Sequence, residues 1–543
     1  MQNMRILLVQ MNPLVGDIPG NTQKLLAAAK QGIAKYAAEL IVFPELVLTA
    51  YPPEDLLLRP SLDRRIESAL QTIRQAKLPA WLVVGYPGRV DGKLYNMLAV
   101  IHHGKCLTTY RKQCLPNYRV FDEKRYFAAG DEACLLTIKN IPLAFTICED
   151  LWEAQPMQKA VQGGAKLMIN INGSPYHTNK IQDRQQVLRQ RINESHIPIV
   201  YVNQVGGQDE LVFDGASMAF DSGGKLCAMA PLYEEAMLPL DCILDEGGNL
   251  SFAAAEIAKQ PGREEGIYQA LVLGLKDYVN KNGFKGIVLG LSGGIDSALT
   301  LAIAVDALGA ERVHAVMMPF AYTSEMSQED ARLQAMMLGV NYRVIPIAEI
   351  YNSFMQALND EFAGMSPDIA EQNIQARSRG VVLMAISNKK HLLVLTTGNK
   401  SELAVGYSTL YGDMAGGFDV IKDVPKMLVY ELARFRNTIS DVIPQRVIDR
   451  APSAELAPDQ VDEDNLPPYP VLDQILEMYI EQDASSDEII TKGFARETVE
   501  KVIRLVDRNE HKRRQAPIGV RISKRGFGKD RRYPITSGWQ LGD

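Results

Sequence analysis

The stretch Gly290-Leu291-Ser292-Gly293-Gly294-Ile295-Asp296-Ser297 constrains the fold of this chain more than any other. An apolar run, Gly286 to Leu291, enters it and reads as a buried strand. The run Ala298 to Val305 leaves it with the length and residue types of a buried helix. A glycine-rich turn from strand to helix belongs to doubly wound parallel sheets, whose ligand crevices open at the carboxyl ends of the strands. Such a turn points backbone N–H groups and a positive helix end at one place, which favours a phosphate. Gly293 and Gly294 let the backbone approach closely, and Ser292 and Ser297 add hydroxyl donors. A carboxylate at Asp296 repels phosphate unless a divalent cation stands between them, so the string points to Mg²⁺ and a nucleotide. A bare Gly-Gly pair would be an unliganded turn; the serines and the aspartate argue for a ligand. The turn lacks the Gly-Lys-Ser/Thr ending of a Walker loop, which counts against a kinase or motor ATPase.

A chain of 543 residues is too long for a single core, and two or more α/β domains are expected. The first half alternates strand-like runs (Ile6 to Val9, Leu40 to Phe43, Leu82 to Gly85, Leu143 to Ile147, Leu167 to Ile171, Ile199 to Asn203) with helical patterns such as Asn21 to Ala38, as an α/β sandwich does. The pattern loosens from Asp245-Glu246-Gly247-Gly248-Asn249 to Pro261-Gly262-Arg263. This sets the expected domains at 1–245 and 264–543, with 246–263 as the connection. Later strands at Val313 to Met318 and Leu392 to Thr396 extend the second series, and the proline- and acid-rich segment 451–470 reads as a loop able to order over substrate. A net charge of −7 without a long basic block gives no reason to expect nucleic acid. No run reaches membrane-spanning length or forms a secretory leader, and no membrane association is expected. The six cysteines all lie at or before Cys242 without Cys-x-x-Cys spacing, so free thiols and a reducing cytoplasm are expected.

Cys148 follows a strand pattern in Phe145-Thr146-Ile147-Cys148-Glu149-Asp150 and opens a turn, the placement of a nucleophile, although a lone cysteine in apolar company is usually a small hydrophobe. Its company decides the matter. Glu45 ends another strand, in Phe43-Pro44-Glu45, and Lys112 closes Tyr110-Arg111-Lys112. A thiol nucleophile needs a base for its proton and a cation for the developing oxyanion, and these two residues supply both. Over residues 4–240 the chain resembles the nitrilase superfamily, which hydrolyses carbon–nitrogen bonds with a Glu-Lys-Cys triad. The resemblance implies an α/β/β/α sandwich, with Glu45 as general base, Lys112 at the oxyanion and Cys148 acylated. Glu123 is either a supporting second glutamate or a solvent-facing residue. Asn172-Gly173-Ser174-Pro175-Tyr176 and Lys180 lie where a pocket rim is expected, with a hydroxyl and an ammonium suited to an amino-acid carboxylate. By resemblance to glutamine-hydrolysing members, Tyr118, Ser174 and Lys180 contact glutamine; read singly, each is equally an ordinary loop residue.

Downstream, Thr396-Thr397-Gly398-Asn399-Lys400-Ser401-Glu402 again follows a strand. Thr397 offers a hydroxyl for adenine or phosphate, and Asp296 and Glu402 are placed to share one Mg²⁺; a capped helix start is the competing reading. Glu371 to Arg377 opens a helix with amides, Tyr411 to Asp419 reads as a glycine loop, and Lys426, Ser453 and His511-Lys512 are either site groups or a solvated face. These segments, with Arg450 to Leu456, resemble the NAD⁺ synthetase domain over roughly residues 264–530, an adenine-nucleotide α-hydrolase-like fold. The resemblance implies ATP at Gly290 to Ser297 and Thr397, deamido-NAD⁺ at Asn373, Glu402 and Lys512, and Mg²⁺ on Asp296 and Glu402. Joined to the first half, it resembles the glutamine-dependent NAD⁺ synthetase family. That family pattern implies glutamine hydrolysis, adenylation by ATP with release of pyrophosphate, amidation by the freed ammonia, and a homo-oligomer. An amidotransferase for another acceptor keeps the same loop. A tRNA-modifying adenylase needs basic faces or later cysteines, and a dead scaffold would have lost a triad member.

Overall fold

A computed structural model describes residues 2–453, 455–457, 462 and 466–539. Ala454 and much of the expected 451–470 loop lie outside the described residues. The chain divides into two compact units: residues 1–208 with 212–261, and residues 262–543 with 209–211.

The first unit stacks two sheets. One has the order β15-β14-β1-β2-β3-β4-β5, formed by β1 (Gln2–Gln10), β2 (Leu40–Val42), β3 (Trp81–Val90), β4 (Lys93–His102), β5 (Lys105–Arg111), β14 (Ala236–Leu244) and β15 (Leu250–Phe252). The other has the order β13-β12-β9-β8-β7-β6, from β6 (Cys134–Ile138), β7 (Ile141–Ile147), β8 (Leu167–Asn172), β9 (Ile199–Asn203), β12 (Met218–Phe220) and β13 (Leu226–Met229). A short hairpin, β10 (Val205–Gln208) and β11 (Leu211–Asp214), stands apart from both. Ile6, Leu8, Val42, Val83 and Leu98 of the first sheet meet Phe145, Ile147, Ile169, Ile171 and Val202 of the second in one buried core. Both faces of each sheet are covered, which explains why their central strands read as continuous apolar runs rather than alternating ones.

Helices α1 (Ile18–Tyr36), α2 (Leu62–Gln75), α3 (Ala154–Gln162) and α4 (Lys180–Ser195) complete the α/β/β/α sandwich. α1 starts three residues before the apolar pattern suggests, because Asp17 caps it by accepting from Gly20 N. The stretch 246–263 differs from expectation as well. Leu250–Phe252 pairs with Cys242 to Leu244 as a three-residue edge strand, and the stretch up to Pro261 groups with the first unit, the division falling at Pro261/Gly262.

The second unit is built on a five-stranded, all-parallel sheet of order β18-β17-β16-β19-β20, from β16 (Ile287–Gly290), β17 (Val313–Met317), β18 (Asn341–Val344), β19 (Leu393–Thr396) and β20 (Phe418–Asp419). The helices are α5 (Arg263–Lys281), α6 (Ile295–Leu308), α7 (Glu325–Leu338), α8 (Ala348–Ala357), α9 (Ile369–Lys390), α10 (Lys400–Val405) and α11 (Lys426–Ile439). α6 is buried almost all round, consistent with its unbroken apolar sequence. Strand order reverses between β16 and β19, and a parallel sheet opens its crevice at such a switch point. The turns after Gly290 and Thr396 therefore face one another across it. Further helices over residues 469–508 pack on α10 through Leu472, Ile475, Val499, Val502 and Val506. Among the described residues, no helix is long and apolar enough to cross a membrane.

Candidate active sites

In the first unit, Glu45, Lys112 and Glu123 form one buried network. Lys112 Nζ donates to Glu45 Oε1 at 2.7 Å and to Glu123 Oε1 at 2.8 Å. The Lys112 and Glu45 side chains are 0% exposed and that of Glu123 is 5% exposed, so the charges cannot be shared with water. Asn96 Nδ2 on β4 donates to Glu45 Oε1 at 2.7 Å, and the Gly173 backbone N–H donates to its Oε2 at 2.7 Å. The Tyr51 hydroxyl donates to Glu123 at 2.9 Å.

Cys148 follows β7 at the start of a 3₁₀ turn and is buried, with φ +45°. A non-glycine residue in that region is strained, and surroundings must hold it there. Asp150 does so: its carboxylate accepts from Ile147 N, Gln113 N, Cys114 N and the Tyr110 hydroxyl at 2.8–3.0 Å.

Burial pushes the Cys148 thiol well up; Glu45 adds to this and Lys112 opposes it. The resting nucleophile is therefore a thiol that needs a base. Burial also lifts the Glu123 carboxyl to about 7, with Lys112 pulling it back. Lys112 stays an ammonium despite its burial because Glu123 and Glu45 hold it there. Glu123 thus stands in the network and not in solvent. Asn96 carried a signal, a lone amide inside the apolar run of β4, whereas Tyr51 and Asp150 carried none.

The three expected glutamine contacts are placed differently from one another. Tyr118 is exposed, and its hydroxyl donates to Glu149 Oε1 at 2.8 Å across an open cleft lined by both residues. Ser174 is buried; its N–H donates to Asn203 Oδ1, and its Oγ accepts from Arg184 Nε at 3.1 Å. Because the guanidinium occupies an acceptor site on that oxygen, the hydroxyl hydrogen is turned away from Arg184. Arg184 is itself buried against Asp214 at 2.8 Å. Lys180 opens α4 with its ammonium 4.0 Å from the centre of the Trp152 ring, and burial lowers its pKa to about 8. Ser174 and Lys180 are not among the residues lining the cleft that holds Tyr118.

In the second unit, a cleft with a cavity volume of about 280 Å³ opens at the switch point. Gly290, Leu291, Ser292, Gly294, Ile295, Asp296, Ser297, Thr397 and Glu402 all line it, while Gly293 lines a smaller pocket beside it with Ser327 and Arg450. Gly293 has φ +83°, and a Cβ there would lie 2.3 Å from the Ser327 carbonyl oxygen, so only glycine fits. The Ser292 and Ser297 hydroxyls stand 3.0 Å apart, and Gly294 N donates to Ser292 Oγ at 3.2 Å.

Asp296 and Glu402 converge on a single point, where Lys426 Nζ donates to Asp296 Oδ2 at 2.6 Å and Glu402 Oε1 at 2.9 Å. Asn399 Nδ2 fixes the second Asp296 oxygen at 2.9 Å. Burial lifts the Glu402 carboxyl to about 8; Lys426 counters this and Asp296 adds to it. Among the described residues, no group of three or more His, Cys, Asp or Glu side chains is arranged to hold a metal. Asn373 and Lys512 do not line the cleft. Asn373 accepts from the Thr409 hydroxyl, and Lys512 donates to the Gly406 and Ser408 carbonyls at 2.8 and 2.9 Å, shaping the turn beside Glu402. Lys426, left open between site group and solvated face, is buried inside the site; Asp413 of the expected glycine loop lines it, and Arg379 and Tyr407 join its walls without a sequence signal.

A sandwich with a buried Cys-Glu-Lys set, followed by a parallel sheet with a serine–glycine phosphate turn, defines a carbon–nitrogen hydrolase joined to a nucleotide-using synthase. Residues 5–248 match the carbon-nitrogen hydrolase family model, and residues 267–516 match that of NAD synthase. The glutamine-dependent NAD(+) synthetase of Acinetobacter baylyi is 48% identical over 100% of both chains, and that of Aquifex aeolicus is 46% identical over 98% of this chain and 99% of its own. The solved structure of the Acinetobacter baumannii enzyme in complex with ADP is 47% identical, covers 100% of both chains and superposes with a TM-score of 0.81. The chain belongs to the glutamine-dependent NAD(+) synthetase family and is a ligase.

Proposed function

We propose that the first unit releases ammonia from glutamine and that the second uses it to amidate deamido-NAD⁺ activated by ATP. The observation that carries this reading is the Cys148 thiol set in a strained turn beside the buried Glu45–Lys112–Glu123 network. Glu45 takes the thiol proton as Sγ attacks the side-chain amide carbon, and Lys112 stabilises the oxyanion. The proton passes to the departing nitrogen, ammonia leaves, and water cleaves the thioester to glutamate with Glu45 as base again. Asn96 and Gly173 hold Glu45 in place for both steps. Tyr118, Ser174 and Lys180 receive the amino-acid end of glutamine, Ser174 with its hydroxyl hydrogen turned away from Arg184.

In the second unit the nicotinate carboxylate attacks the α-phosphorus of ATP, pyrophosphate leaves, and ammonia then displaces AMP from the acyl carbon. The Gly290–Ser297 turn and Thr397 hold ATP; Asn373, Glu402 and Lys512 serve deamido-NAD⁺, Asn373 by accepting from Thr409 and Lys512 by holding the Gly406 and Ser408 carbonyls. An adenine nucleotide suits the cleft, and the baumannii relative is a complex with ADP. The donors are of the kind Mg²⁺ takes: two carboxylate oxygens meet at one point, which Lys426 Nζ bridges in this structure. Asp296 and Glu402 would hold the ion, which when bound neutralises charge on the departing pyrophosphate. We also propose a homo-oligomer: α8 has no buried residue, and Phe354, Met365, Ile369 and Val381 are exposed apolar side chains around α8 and α9.

Cys148→Ala tests the division of labour. It is expected to abolish NAD⁺ formation from glutamine and to spare formation from added ammonium, followed by coupled detection of NAD⁺. Loss with both nitrogen sources would refute the assignment.

A further inference from the structure

The phosphate turn of the second unit has a carboxylate for a neighbour. Glu455 lines both the nucleotide cleft and the smaller pocket beside Gly293, and Ser292, Gly294 and Ile295 are common to the two. Its Oε1 accepts from the Ser324 hydroxyl at 2.9 Å, from the Ser327 hydroxyl at 2.8 Å and from the Arg450 guanidinium. Arg450 also donates to Ser327 Oγ at 2.6 Å. Ser324 caps α7 by accepting from Ser327 N at 3.1 Å, and the packing of Gly293 on the Ser327 carbonyl sets the start of α6 beside the start of α7. Two positive helix ends, two hydroxyls and a guanidinium are thereby gathered at one place.

A phosphoryl oxygen accepts the same charge-assisted hydrogen bonds as a carboxylate oxygen, so this donor set suits either anion. Both cannot hold it together. A nucleotide gripped by Ser292 to Ser297 would bring its phosphates against Glu455 as like charge, which is repulsive in a cleft partly withdrawn from water. The backbone of Glu455 is also strained, with φ +47°, and the contacts of its carboxylate hold it so. Arg379 stands on the wall of the same cleft; burial lowers its pKa to about 10, and the Glu455 charge opposes the fall.

We propose that Ser324, Ser327 and Arg450 seat the pyrophosphate end of ATP and that Glu455 is its internal competitor, a carboxylate that takes the same donors and must leave them before the phosphates are seated. This rests on the ATP reading of the second cleft. The competition lowers the apparent affinity for any polyphosphate by the fraction of time the donors are free. The returning carboxylate also drives pyrophosphate out once the α-phosphorus has been attacked.

Titration calorimetry of the full-length protein with inorganic pyrophosphate, ATP and AMP tests this. Glu455→Gln keeps the shape and removes the charge, and it is expected to bind pyrophosphate at least about tenfold more tightly than the wild type, with AMP unchanged. Arg450→Gln weakens pyrophosphate binding, by a larger factor in the Glu455→Gln background, where no carboxylate competes. A Glu455 that merely tethers Arg450 would give the opposite sign, so weakened or unaltered pyrophosphate binding in Glu455→Gln overturns the proposal. The wild type supplies a measurement free of any folding defect. Pyrophosphate is expected to quicken amide exchange at Glu455, whose N–H donates to Ser453 Oγ at 3.2 Å, and slowed or unaltered exchange there overturns the proposal too. Protein that binds neither pyrophosphate nor ATP, with or without the substitution, would overturn the ATP reading as well.

Discussion

Replacing Lys112 by methionine isolates the energetic core of the first site. The side chain has nearly the same length, so the change removes a charge and three donors with little change in volume. At an effective dielectric of ~20, each of the contacts at 2.7 and 2.8 Å amounts to about 6 kcal/mol of attraction. Removing the lysine also relieves its own desolvation, several kcal/mol, so the expected net loss is about 3–5 kcal/mol, the range found when one partner of a buried pair is deleted. This lies within the ~5–15 kcal/mol stability of a domain, and the variant still folds. The left-over carboxylates face one another in a dry site, which raises their folded-state pKa values. The sign follows: a carboxyl raised above its unfolded value stabilises below that value and loses the contribution as pH rises through the folded one. In the wild type Glu123 already behaves in this way, its loss running from the ordinary carboxylate range up to about 7. In the variant the deficit is smallest in acid and grows toward neutral pH. Hydrogen exchange resolved by segment reads it out, with β5 and β7 reporting on the site and β16 and β19 of the second unit as internal reference. Ammonia release disappears in the same variant. Abolished ammonia release with protection in β5 and β7 changed by less than about 1 kcal/mol would refute the reasoning, because the network would then be catalytic without being structural.

Asp214→Leu leaves Arg184 buried without its counter-charge, and a loss of about 3–5 kcal/mol is expected in chemical denaturation, with KM for glutamine raised as Ser174 loses its orientation. With Lys180 lowered to about 8 and its ammonium needed for the substrate carboxylate, kcat/KM for glutamine falls as pH rises through about 8; a flat profile from pH 7 to about 9 would remove Lys180 from the site. Gly293→Ala forces a Cβ against the Ser327 carbonyl at a left-handed position, and at least a roughly tenfold higher KM for ATP is expected in a pyrophosphate-release assay. Lys426→Met unbinds Asp296 from Glu402; NAD⁺ formation from either nitrogen source should fall by on the order of 10²-fold while glutamine hydrolysis continues, and undiminished synthesis would show the bridge to be idle.

Much of this was legible in residue order. Local chemistry, such as a glycine pair between an apolar strand and helix or a Cys or Glu closing a strand, survives translation into a line of letters because adjacent residues share a turn. The strands were legible for a related reason: β7, β8, β9 and β16 are buried on both faces and so are written as mostly apolar runs, interrupted only by buried polar residues such as Thr146 and Asn170. Edge strands obey no such rule. β15, partly buried and three residues long, reads as part of a connection because pairing with β14, not its own composition, makes it a strand.

What only the tertiary structure decided are the partnerships across long separations. Lys426 reads alone as a solvated lysine, yet it meets Asp296, 130 residues earlier in the chain, and Glu402 at one point. Glu123 reads equally as a supporting glutamate or a solvent-facing residue, and only the fold closes it on Lys112 and Tyr51 in a dry core. Arg184 and Glu455 acquire their meaning in the same way, from Ser174 and Ser327. The physical reason is common to all four. Withdrawing a charge from water is unfavourable unless opposite charge or hydrogen-bond donors meet it, and only the packed fold determines which groups those are.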